Sequence, residues 1–286
     1  MNKRLSEIRE VLERLYAKYN RRECIRSDPL QFVYRYTNRS DMEIAGFLAA
    51  SLAYGRVEQI EKSLHELLGL MGESPFEFVR NFDEQKRQRF NGFKHRFTTG
   101  RDISDLLSLL KDVLAEYGSI EKFFVQGYSK GDENIIPALS KFCESLLGVY
   151  SEKYGESAGR GLRYLLVSPA RGSACKRLNL FLRWMVRDDD VDAGLWKSVE
   201  PSALVVPVDV HMARLCRVLG FYEQKTVSLS AALRITESFA EIEPSDPVKY
   251  DFALSRIGIL DNCTGRHRSG CEFCELFGFC FDGAGV

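Results

Sequence analysis

Residues 251–280, DFALSRIGILDNCTGRHRSGCEFCELFGFC, run from an apolar helical repeat into four cysteines, Cys263, Cys271, Cys274 and Cys280. Their spacing is C-x7-C-x2-C-x5-C. A C-x2-C pair lets two thiolates grip one corner of an inorganic centre, and glycines at 265, 270 and 278 give the flanking loop the freedom to return. A single C-x2-C flanked by lone cysteines fits a 4Fe-4S cluster, in which each thiolate holds its own iron. Zinc, which more often uses two C-x2-C knuckles, is the alternative, and free thiols or disulfides stay open.

The other four cysteines, Cys24, Cys143, Cys175 and Cys216, are scattered and read as small core or near-core thiols. In 286 residues, 45% hydrophobic and 28% charged, there is material for one large or two modest domains. No stretch approaches the ~20 apolar residues that span a bilayer, and MNKRLSEIREVLERL mixes both charge signs too evenly for a targeting peptide. A cytoplasmic protein without membrane contact is expected. Forty basic residues balance forty acidic ones, so a nucleic-acid partner needs a local basic patch. Arg160, Arg163, Arg171, Lys176, Arg177, Arg183 and Arg187 supply one, followed at once by Asp188, Asp189, Asp190 and Asp192. The plainer reading is a helix with a solvated basic face and an acidic loop after it.

Apolar residues recur at three- and four-residue steps almost throughout, which predicts an all-α fold. Leu5, Ile8, Val11, Leu12, Leu15, Tyr16 and Tyr19 mark a first helix, and Ser40-Asp41 reads as the cap of a second, closed by Gly55. Further helices are expected near 57–71, 103–116, 136–150, 174–187, 210–219, 228–240 and, opened by Asp246-Pro247, 247–257. Residues 83–99 read as an ordered polar and aromatic loop, and ALVVPVDV (203–210) as an extended connector.

The cysteine pattern, preceded by a helix ending in Gly258, resembles the C-terminus of endonuclease III and the adenine-mismatch glycosylases, with one extra residue in the first gap. Pro207-Val208-Asp209-Val210-His211-Met212 looks like the corresponding segment of eukaryotic 8-oxoguanine glycosylases. Ser168 to Leu178 (SPARGSACKRL) is similar to the hairpin turn of the helix-hairpin-helix DNA glycosylase superfamily. The chain resembles an uncharacterised bacterial branch of that superfamily. Only Gly172 stands for the usual hairpin glycines, and the interval from Lys176 to Asp209 is longer than usual, with the acidic segment from Asp188 to Trp196 filling it.

The resemblance implies a helical barrel over 26–199, with a hairpin near 165–187, beside a cluster-bearing unit built from 1–25 and 200–286. It implies base-excision repair: a monomeric glycosylase with abasic-site lyase activity on double-stranded DNA carrying a damaged base or abasic site. Lys176 would be the nucleophile and Asp209 the carboxylate that opposes charge on the sugar. Arg171, Gly172, Ser173, Arg177, His211, Tyr54, Arg56, Arg266 and Arg268 would face DNA. Tyr54, Phe93, His95 and Trp184 are candidates for the base pocket only as aromatic rings. Two rivals are a non-catalytic helix-hairpin-helix iron–sulfur protein binding structured DNA or RNA, and a helical zinc protein unrelated to DNA. The lesion itself is not legible.

Overall fold

In a computed structural model of the chain, the described residues are 3–224, 226–260, 263 and 269–280. The helices are α1 (Lys3–Tyr19), α2 (Arg39–Ser51), α3 (Val57–Met71), α4 (Pro75–Arg80), α5 (Glu84–Gln88), α6 (Gly100–Tyr117) and α7 (Ile120–Phe124). They continue with α8 (Ile136–Tyr154), α9 (Arg160–Leu165), α10 (Lys176–Val186), α11 (Val210–Val218), α12 (Leu229–Ala240) and α13 (Asp251–Leu260). The expected loop at 83–99 instead holds α5 and a hairpin of β1 (Lys94–His95) and β2 (Thr98–Thr99). The fold is otherwise helical, as the periodicity requires.

At the centre lies α2, where Ile44 to Ala50 are buried on every side. Such a helix must be covered all round, and α10 and the turn at Pro29–Arg35 pack against it. Buried apolar side chains form one continuous cluster from Ile8 to Leu276. The two ends of the chain meet in it, because α1 and α11 both pack on α13.

Three local expectations need correction. Asn38, not Ser40-Asp41, caps α2, its side chain accepting from the Ser40 and Asp41 amides. Asp41 turns instead to α4, accepting from Ser74 Oγ at 2.6 Å and Phe76 N at 2.9 Å. Asp246 does not open the last helix, which begins at Asp251; its carboxylate accepts from Arg187 Nε at 2.8 Å.

The third correction concerns the basic face of α10. Arg183 and Arg187 are buried at 2% and 4% exposure. Arg183 pairs with Asp192 (3.2 Å) and Asp251, and Arg187 with Asp192, Asp189 (2.9 Å) and Asp246 (2.8 Å). Burial opposes both guanidinium charges, yet these carboxylates outweigh it and hold them above their ordinary range. Burial also pushes the Asp192 carboxyl up to about 6, which runs against the arginines' direction. The hydrogen bonds from both guanidinia favour its ionised form, so we read the network as ionised. The segment after α10 is therefore the buried counter-charge of that helix. Its far end is fixed by Trp196 Nε1, which donates to Glu43 of α2 at 2.7 Å.

Candidate lysine–aspartate site and cysteine segment

Lys176 is the first residue of α10 and Asp209 the N-cap of α11. Asp209 Oδ1 accepts from the His211 and Met212 amides, both at 2.9 Å, the ordinary way an aspartate opens a helix. Its second oxygen, Oδ2, accepts from Lys176 Nζ at 2.6 Å. Burial alone would raise the Asp209 carboxyl, but the Lys176 charge and hydrogen bond, with the Met212 amide, hold it below the ordinary carboxylate range. Both side chains keep about a third of their surface in solvent, 36% for Lys176 and 30% for Asp209. A cleft of about 210 Å³ reaches the lysine between Tyr164, Ser173, Cys175 and Arg177.

The turn before α10 is built from side chains rather than from glycines. Pro169–Arg171 is a single 3-10 turn, closed by Gly172 at φ +80°. The Gly172 carbonyl accepts from Leu229 N at 2.9 Å, which ties the turn to α12. Cys175 then takes a left-handed conformation (φ +46°) that disfavours any residue with a Cβ. Its Sγ donates to Val167 O at 3.2 Å, and Cys143 Sγ reaches the same oxygen at 3.7 Å. Burial pushes the Cys175 thiol up to about 11, so it is a neutral donor that anchors the turn. Cys175 thus orients Lys176, a role no motif flagged.

The other expected site residues divide. Arg171 and Gly172 are exposed on this face, with Ser173 partly covered, while Arg56 caps α3 in solvent and His211 is exposed at the start of α11. Arg177 is engaged inside the protein: it donates to Ser51 O (2.7 Å) and Tyr164 O, and lies over the Tyr54 and Tyr164 rings at 5.1 and 4.2 Å. Tyr54 is half-buried in this stack. Phe93, His95 and Trp184 are buried in the core. His95 bridges Ser63 Oγ and Tyr54 O, both at 2.9 Å. Arg266 and Arg268 lie outside the described residues. Sequence reasoning missed Phe97 and Tyr164, which border the same cleft region; the aromatic content of 83–99 was the only hint.

In the cysteine segment, Leu276 is buried in the core, and Arg214 of α11 donates to Cys263 O at 2.6 Å. Glu275 faces Arg14 and Lys18 of α1 at 3.9 and 3.6 Å. Burial first, and then the charges of Cys274, Cys263 and Cys271, push the Cys280 thiol up to about 11. Thiolates as a residue type are donors suited to a soft metal centre. Among the described residues no group of three or more ligands stands ready-made around a metal position.

A protein-family model described as "Protein of unknown function (DUF2400)" matches residues 28–260, most of the chain. No curated protein and no solved structure matches. The matching family is uncharacterised, and no glycosylase family matches, so the resemblance to the helix-hairpin-helix glycosylases is corrected. Its weakest point lies in the turn before Lys176, where a cysteine thiol and a serine do what glycine-rich backbone would do in a hairpin.

Proposed function

The chain belongs to the DUF2400 family, whose function is unknown; from the site itself we propose that it is a DNA-repair enzyme that removes a damaged base and cleaves at the resulting abasic site through Lys176 and Asp209. The observation that carries this reading is the 2.6 Å pair itself, half-open to solvent at the start of two helices. Lys176 also lines the cleft of about 210 Å³, which supports a role beyond that of an ion pair.

Lysine attacks carbon only as the free amine. Nζ passes its proton to Asp209 Oδ2 across their 2.6 Å hydrogen bond, and the departing base takes that proton, so the carboxylate is ionised again as charge develops on the sugar. Nζ then bonds to the sugar C1′ as the C1′–N bond to the base breaks, and the base leaves with a proton. Asp209 opposes the positive charge that develops on the sugar. Opening of the sugar ring gives a Schiff base, and loss of a C2′ proton with departure of the 3′ phosphate cuts the strand. Water then hydrolyses the imine and frees Lys176. The target nucleotide must be extrahelical to reach the cleft.

Cys263, Cys271, Cys274 and Cys280 would hold a 4Fe-4S cluster, with zinc as the alternative. When bound, the metal centre supplies a structural cross-link rather than reaction chemistry.

The test is borohydride reduction on duplex DNA bearing an abasic site, which needs no knowledge of the lesion. Wild type becomes covalently attached. Lys176→Gln loses attachment but keeps DNA binding, and Asp209→Asn slows attachment by roughly 10²–10⁴-fold. Unchanged attachment in Lys176→Gln removes the nucleophile. A wild type that attaches to no lesion or abasic site is a non-catalytic binder of structured nucleic acid.

A further inference from the structure

Next to the lysine cleft lies an aromatic surface that the Lys176–Asp209 chemistry does not use. Phe97 sits at the tip of the β1–β2 hairpin with 59% of its surface exposed. The hairpin is not loose. Tyr54 Oη donates to His95 O at 3.0 Å and shares a hydrogen bond with Thr98 Oγ1 at 2.7 Å. Arg96 lies so close over Gly55 that an added Cβ there would meet its Cδ at 2.9 Å. Arg96 also holds φ +53°, in a two-residue turn where asparagine or glycine is the ordinary choice. A strained, docked turn thus holds a phenyl ring that Arg96 approaches to 5.3 Å, yet more than half of it remains open to solvent.

The phenyl ring continues a stack. It lies 5.5 Å from Tyr54 at an interplanar angle of 11°, and Tyr164 meets it edge-on at 5.3 Å. Beside it opens a cleft of about 520 Å³ lined by Phe97, Arg160, Gly161, Arg163, Tyr164 and Arg171. Every charged residue in that lining is an arginine, all three are exposed, and none has an ion pair among the described residues. Tyr164 also lines the cleft of Lys176, so the two clefts adjoin.

Flat rings with free guanidinium groups around them match a planar, anionic ligand that arrives as a chain: stacked bases joined by phosphates. We propose that the Phe97–Tyr164 surface is a stacking platform for an unpaired DNA base neighbouring the nucleotide at Lys176, with Arg160, Arg163 and Arg171 taking its phosphates. This rests on the reading of Lys176 as a DNA-directed nucleophile. It adds a substrate preference: DNA unpaired beside the reacting site over DNA paired up to it.

The experiment compares two fluorescein-labelled duplexes carrying one abasic site, fully paired in one and opened by a two-nucleotide bubble beside the site in the other. Equilibrium binding of the full chain is read by anisotropy. Wild type favours the bubble by roughly 5- to 150-fold, the range for one base stacked on an aromatic ring. Phe97→Ala abolishes that preference and Phe97→Trp restores it, with thermal melts checking that both remain folded. Arg163→Gln weakens both probes alike and lowers the slope of log affinity on log salt by about one. Equal binding of both probes by wild type, or a preference unchanged in Phe97→Ala, overturns the platform. A salt slope unmoved in the arginine variant overturns the phosphate contacts. Absence of borohydride attachment together with a Phe97-dependent bubble preference refutes the lyase reading and supports the platform.

Discussion

Gly161, the second residue of α9, offers a test whose sign is informative. An alanine there would place its Cβ 2.2 Å from Asp102 Cγ and 2.3 Å from both carboxylate oxygens. Asp102 is the third residue of α6, and its Oδ2 accepts from Thr99 N at 2.8 Å and Thr99 Oγ1 at 2.7 Å, completing a capping box. To clear the methyl group the carboxylate must move more than an ångström and release both bonds. Hydrogen bonds to an ionised group contribute roughly 1.5–3 kcal/mol each. These two are solvent-exposed, so about 2–3 kcal/mol for both together is the appropriate scale. Against this, alanine improves on glycine in a helix by at most about 1 kcal/mol. Gly161→Ala should therefore destabilise by about 1–2 kcal/mol, or roughly 2–3 °C in melting temperature for a chain of this size. Urea titration of four proteins, wild type, Gly161→Ala, Asp102→Ala and the double variant, resolves the coupling. In the Asp102→Ala background the same glycine change should become neutral or stabilising. If Gly161→Ala stabilises the wild-type background, the carboxylate is not where the reasoning needs it.

Arg183→Met leaves the buried Asp251 carboxylate without its ion pair and removes one of the two arginines on Asp192, and should cost about 3–5 kcal/mol in urea unfolding, whereas Arg163→Met stays within about 0.5 kcal/mol. Protein purified without oxygen should carry about four irons and four sulfides per chain by elemental and sulfide assay. Cys271→Ser and Cys274→Ser should lower that content, and Cys24→Ser, Cys143→Ser and Cys216→Ser should not. Burial holds the His95 proton affinity below its ordinary value near 6.5. The folded state therefore resists a proton that the unfolded chain accepts, so its contribution is present above that value and is lost as pH falls below it. The stability of His95→Gln, measured by urea at several pH values, should depend less steeply on pH through this window.

Helix positions were legible because their apolar stripes are regular. The stripe expected at 57–71 became α3, residue for residue, and Leu5 to Tyr19 became α1. Caps were less legible, since a carboxylate can serve a neighbouring helix as readily as its own. Asp41 caps α4 from within α2, and Asp246 answers Arg187 rather than opening α13. Charge placement misled most. Arg183 within α10 and Arg187 just past its end cannot be distinguished from Lys176 by charge, yet they face inward to acidic partners both near (Asp189, Asp192) and distant in sequence (Asp246, Asp251). The approach of Lys176 to Asp209 is a contact across 33 residues, which rested on resemblance and not on periodicity. Phe97 was hidden for the opposite reason: a two-residue turn is too short to produce a pattern.

The meeting of the chain's two ends has a consequence during synthesis. Glu13 of α1 accepts from Lys249 at 2.7 Å and from Tyr250 at 2.6 Å, the latter a contact across 237 positions. Until α13 has left the ribosome, the stripe of Ile8, Val11, Leu12 and Leu15 lacks a principal partner. At about 5–20 residues per second, that wait lasts on the order of 10–50 s. From its own synthesis until α13 is made, α1 thus offers an uncovered apolar stripe, the kind of segment that holding chaperones shield. Docking of α1, with Glu13 on Lys249 and Tyr250, therefore waits for the chain to be made through α13.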